Sequence, residues 1–155
     1  DVTLEDIARI ADVFYIGGTK VGAMFGEAVV FTHGNMPKNF VTLVKQHGAL
    51  LAKGWLLGVQ FDTLFTDNLY CRIARRANDA ADRIREVLVE RGYTLTFDAP
   101  TNQIFITLDN ETSERLQRSV RLGFMEKADD THTVMRICTS WATTDKQVEQ
   151  LIALL

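Results

Sequence analysis

The segment Asn68–Arg91 constrains the fold more than any other. Ile73, Ala77, Ala80, Ile84, Val87 and Leu88 recur at helical spacing and make one apolar face. Arg72, Arg75, Arg76, Asp79, Asp82, Arg83 and Glu86 make the opposite, charged face, and Gly92 is a natural C-cap. Beyond Gly92 the rhythm changes. "YTLTF" alternates, Pro100-Thr101-Asn102 turns, and "QIFITL" (Gln103–Leu108) reads as a strand. Asn110–Leu122 reads as an amphipathic helix and "TVMRICTS" (Thr133–Ser140) as a strand. Thr144–Leu155 reads as a terminal helix begun by Thr144 or Asp145. Three strands with intervening helices make a small α/β layer.

Upstream, Thr3 can cap a short helix over Leu4–Ala11, with Asp6 a weaker stand-in for the Glu or Gln of a full capping box. "VFYI" (Val13–Ile16) reads as a buried strand stopped by Gly17-Gly18, and "AVVF" (Ala28–Phe31) as a second strand. His33-Gly34-Asn35 is a turn. From Asn39 to Phe65 the pattern is largely helical, with Gly48, Gly54 and Gly58 inside it. Glycine in a helix costs about 1 kcal/mol against alanine, so three of them mean close backbone packing or breaks.

At 155 residues the chain suits one well-buried domain, or a domain plus a subdomain. A net charge of −3 and no basic run exclude an electrostatic case for nucleic acid or a membrane surface. No apolar run approaches the roughly 20 residues that span a bilayer. Cys71 and Cys138 are far apart, so neither a disulfide scaffold nor a zinc site is expected; no metal is, and a cytoplasmic location fits. The chain opens on Asp1 without a Met and soon enters a helix and a strand. That fits either a processed start or a cut through a larger domain.

The chemistry-bearing feature is "YIGGTKVGAMFGEA" (Tyr15–Ala28), where Lys20 sits among glycines in a connection between two strands. It is not a Walker loop, because the spacing is wrong and no Ser or Thr follows the lysine. Two readings stay open. Lys20 is a solvated turn residue, or it is an imine-forming lysine for which Gly17, Gly18 and Gly22 leave room and Thr19 offers a hydroxyl to a phosphate. Arg136, between Met135 and Ile137 on an apolar strand, needs a partner too. That partner is either a structural carboxylate or a ligand's, since a planar guanidinium pairs with a carboxylate in bidentate fashion.

A larger pattern bears on both. "FYIGGTKVGAMFGEAVVF" resembles the lysine segment of the low-specificity threonine aldolase and β-eliminating lyase family, within the fold type I pyridoxal-phosphate enzymes. Gly18-Thr19-Lys20 and Gly26-Glu27-Ala28 match, while Val21 stands where the family commonly has Asn. The resemblance continues in order through "LVKQHGALLAKGWLLGVQF", "APTNQIF" and "VMRICTSWATT". It implies that Lys20 carries pyridoxal 5'-phosphate as a Schiff base, that Thr19 lies near its phosphate, and that Arg136 holds the substrate α-carboxylate. Lys45 and Lys53 fall in a helical region that in the family approaches a neighbouring active site, but Ala52 replaces the family Arg there, and both read as solvated. His47 is a general base or a structural histidine; His33 and His132 look incidental, and Asn102 reads as a local backbone partner.

The expected fold is α/β, the C-terminal portion of an aspartate-aminotransferase-like fold. Residues 1–36 would end the large domain, 37–65 connect it, and 66–155 form a small domain. The Asp that pairs with the cofactor's pyridinium nitrogen comes from upstream of the lysine in the family; Asp6 and Asp12 are too close to Lys20 to serve. The resemblance implies cleavage of threonine or allo-threonine to glycine and acetaldehyde, by a homo-dimer or tetramer that includes a further N-terminal portion. Another fold type I reaction (β-elimination, transamination or decarboxylation) and a non-catalytic assembly fragment are the alternatives.

Overall fold

The computed structural model describes residues 2–155, and two units divide between Tyr70 and Cys71. In the first unit Thr3 opens helix α1 (Leu4–Ile10) with a reciprocal capping box. The Asp6 backbone N–H donates to the Thr3 hydroxyl, and the Asp6 carboxylate accepts from the Thr3 N–H at 3.0 Å. Asp6 therefore fills the role expected of a Glu. Strands β1 (Val13–Gly17) and β2 (Glu27–Phe31) come next as an antiparallel hairpin, with Tyr15 opposite Val29 and Gly17 opposite Glu27.

The stretch Asn39–Phe65 is two helices rather than one. Helix α2 (Phe40–Gln46) ends where Gly48 takes a φ of +68°, and α3 (Trp55–Phe65) starts after Gly54. At the break the Gly48 N–H donates to the Lys45 carbonyl and the Ala49 N–H to the Val44 carbonyl, the Schellman pattern that ends a helix. Gly48 thus acts as a terminator, while Gly58 remains inside α3.

Helix α4 (Leu69–Glu90) is the long amphipathic helix expected from the periodicity, and Gly92 and Tyr93 close it with the same hydrogen-bond pattern. The second unit then builds β3 (Thr94–Leu95), β4 (Gln103–Asp109), α5 (Asn110–Gln117), β5 (Gly123–Lys127), β6 (His132–Cys138) and α6 (Asp145–Leu154). The strands form one antiparallel sheet in the order β3-β4-β6-β5.

The sheet has four strands where three were expected. β5 escaped because "GFMEK" is mostly exposed and so lacks an apolar alternation. The helix expected over Asn110–Leu122 stops at Gln117, and Leu122 reaches the core from outside it. The "YTLTF" strand shrinks to Thr94–Leu95.

One face of the sheet carries the core. Ile104, Ile106 and Leu108 of β4 and Met135 and Ile137 of β6 pack with Ala81, Ile84 and Leu88 of α4, Leu116 of α5 and Val148 of α6. Alternation sends Gln103, Phe105, Arg136 and Cys138 to the opposite face.

Candidate active site

The connection between β1 and β2 is a built loop. Thr19–Val21 forms a single 3-10 turn in which the Gly18 carbonyl accepts from the N–H groups of Val21 (3.1 Å) and Ala23 (2.9 Å). A Cβ at Gly18 would come within 2.6 Å of the Ala23 Cβ and 3.0 Å of the Phe61 ring, so only glycine fits. Val21 and Ala23 are buried. Helix α3 pins the far side of the loop: the Met24 N–H donates to Gln60 Oε1 at 2.7 Å, and Gln60 Nε2 donates to the Phe25 carbonyl at 3.3 Å. The Tyr70 hydroxyl donates to the Gly17 carbonyl at 2.7 Å.

Between these anchors Thr19 and Lys20 point outward. Both are exposed, and neither side chain makes a hydrogen bond or ion pair among the described residues. An amine on a rigid strand-to-strand turn, beside a free hydroxyl, fits a cofactor aldehyde and phosphate. The buried Val21 is the departure from the family pattern. It fills an apolar site under the turn, which an Asn side chain would have to enter with its amide paired.

Arg136 lies in the second unit on β6, half-buried on the sheet face away from the core. Its Nη1 donates to Gln103 Oε1 at 3.2 Å. Its Nε is buried with no hydrogen-bond partner, and no carboxylate pairs with the guanidinium among the described residues. Lys20 and Arg136 thus belong to different units.

The remaining sequence-derived residues are structural or exposed. Asn102 Nδ2 donates to the Thr139 carbonyl at 2.7 Å, the local backbone role expected. His47 is the C-cap of α2, and His33, Lys45 and Lys53 are exposed. A cleft of about 620 Å³ in the second unit contains Asp109, Asp129 and His132. Its acids are already engaged. The Thr131 backbone N–H, the Thr131 hydroxyl and His132 hold the Asp129 carboxyl down at about 2. The Thr112 N–H lowers that of Asp109. No group of metal-ligating side chains occurs among the described residues, and no helix there is long and apolar enough to cross a membrane.

Gln60, Phe61 and Gln103 lie inside segments that carry the family resemblance, but residue type and spacing give none of them, nor Gly123 opposite Arg136, a role. Their importance arises from contacts 13 to 43 positions away.

No protein-family model matches the chain. The low-specificity L-threonine aldolase of a Pseudomonas species is 28% identical over 143 residues, covering 92% of this chain and 40% of that protein. The solved threonine aldolase of Leishmania major superposes with a TM-score of 0.93 at 40% identity, over 99% of this chain and 45% of the other. The serine palmitoyltransferase of Sphingomonas wittichii superposes with a TM-score of 0.65 at 16% identity, over 97% and 40%, and so shares the fold. The chain spans less than half the length of each of these proteins.

The architecture is therefore the aspartate-aminotransferase-like fold of the fold type I pyridoxal-phosphate enzymes. Within that class the chain belongs to the low-specificity threonine aldolase family, along part of whose length it aligns.

Proposed function

We propose that this chain works in a pyridoxal-phosphate-dependent aldehyde-lyase that cleaves threonine or allo-threonine to glycine and acetaldehyde. The observation that carries the reading is the Lys20 turn. An amine with no partner among the described residues stands on a loop that requires glycine at position 18 and buries Val21, in a chain homologous to threonine aldolases. Lys20 would hold the cofactor through its aldehyde, and the Thr19 hydroxyl would be available to its phosphate. Bound pyridoxal phosphate supplies the electron sink for the pair left on Cα when the Cα–Cβ bond breaks. Arg136 binds the substrate α-carboxylate. An arginine with a buried, orphaned Nε and no acid partner among the described residues is a poor structural ion pair and a good anion receptor. Fixing that carboxylate limits rotation of the substrate and so selects which bond at Cα is presented for cleavage.

The enzyme acts as a homo-oligomer, a dimer or tetramer. Large apolar side chains of the first unit, Tyr15, Met24, Val41, Trp55 and Val59 among them, are exposed in the single chain. The test uses the full-length protein loaded with pyridoxal phosphate, reduced with borohydride and mapped by peptide mass, alongside an assay of glycine and acetaldehyde from threonine. A cofactor adduct on Lys20 and both products are expected. Reduction without an adduct at Lys20 overturns the assignment, and turnover to other products overturns the reaction.

A further inference from the structure

The surroundings of Arg136 are set by strand register. Phe105 of β4 stands opposite it on one side and Gly123 of β5 on the other. Phe105 stacks on Phe97 with ring centroids 4.6 Å apart, so that flank is an aromatic wall. The Gly123 flank is open by the width of a side chain. A Cβ there would stand 3.5 Å from Arg136 Nε and 3.6 Å from Arg136 Cβ, already touching the arginine along its length. The Gly123 φ lies outside the left-handed region, so the backbone does not demand glycine there. What glycine provides is room for the arginine.

Gln103, diagonal to Arg136 on the same face, supplies the tether. Its Oε1 accepts from Nη1, and it stands directly opposite Cys138, whose Sγ lies 4.0 Å from the same oxygen. The chemistry of that acceptor matters. An amide oxygen orients a guanidinium without neutralising it, whereas a carboxylate at the same place would cancel the charge.

We propose that Gln103 and Gly123 are positioning residues that aim Arg136 at a ligand carboxylate, and so determine the preference for amino acids over amines that lack one. Gly123 keeps open the lane in which the arginine side chain lies. Gln103 occupies one of its five donors and leaves the positive charge to the ligand. The inference rests on the reading of Arg136 as the carboxylate-binding residue.

The experiment measures equilibrium binding of glycine and of methylamine, by cofactor absorbance, to the full-length, cofactor-loaded protein and its variants. Thermal unfolding serves as the folding control. Gln103→Glu keeps shape and acceptor but adds a negative charge, and should weaken glycine by about tenfold or more while leaving methylamine unchanged. Gly123→Leu should do the same by crowding the arginine. Gly123→Ala, whose methyl meets the arginine at ordinary contact distance, should change little. If Arg136→Gln loses the preference for glycine while Gln103→Glu and Gly123→Leu keep it, the positioning role is overturned and the role of Arg136 stands. If Arg136→Gln keeps the preference, the role of Arg136 falls, and this one with it. Should Gly123→Leu fail to fold, Gln103→Glu decides.

Discussion

The two units differ in how they bury apolar surface. The second has a core of its own, in which Leu88, Ile104, Ile106, Leu116, Met135 and Val148 are all almost wholly removed from water. The first buries Val21, Ala23 and Phe61 at the lysine turn and Leu64 on α3, and leaves Tyr15 69% and Trp55 64% exposed. Its sheet has only two strands, and an isolated two-stranded hairpin is marginal in water. Lys20 and Arg136 are therefore carried by units that differ in how much core they possess. The second unit, with the larger core, presents Arg136 on its sheet. Lys20 stands in the unit that leaves more of its large apolar side chains exposed.

The largest expected effect tests this contrast directly. Produced alone, residues 69–155 should unfold cooperatively and give a dispersed NMR spectrum, whereas residues 1–70 should do neither. Cooperative unfolding of the first piece would refute the contrast.

Within the second piece, Ile106→Ala should cost about 2–5 kcal/mol in denaturant titration, because Ile106 is fully buried in the core between the sheet and its helices.

Next in size is the lysine turn. Gly18→Ala drives a methyl into Ala23 and Phe61 and should cost about 1–3 kcal/mol locally. Hydrogen exchange should show the loss at residues 18–25 with the second unit unchanged, and the borohydride adduct at Lys20 should fall with it.

Asn102→Ala should cost about 1–2 kcal/mol, since it leaves the Thr139 carbonyl without its side-chain donor.

The smallest effect concerns Asp129. Its folded carboxyl pKa is lowered from 3.8 to about 2, chiefly by the Thr131 backbone N–H. The stabilisation is therefore present above about pH 4 and fades as pH falls through about 2. Carboxyl NMR titration of Asp129 should give that midpoint. A midpoint at 3.8 would mean that the turn between β5 and β6 is not formed as described.

Legibility followed the range of the interactions. Helix α4, the cap at Thr3, the helix start at Thr144, and strands β4 and β6 were readable because their periodicity and caps are local. The break between α2 and α3 was half-readable: the glycines announced it, but which of them terminates the helix depends on the φ at Gly48. Strand β5 was not readable, because its pairing with β6 supplies a stability that its exposed side chains do not advertise.

Residue type and spacing suffice to put a lysine with a neighbouring hydroxyl on a glycine-marked turn between two strands, and to show an arginine interrupting an apolar strand. They do not reveal that Gln60, Phe61 and Tyr70 lock that turn; the folded chain does. The folded chain also puts Arg136 between Phe105 and Gly123, tethered to an amide and unpaired with any acid among the described residues. Those facts depend on register and on contacts between distant residues. Register is settled by which side chains the core accepts, and local pattern does not carry it.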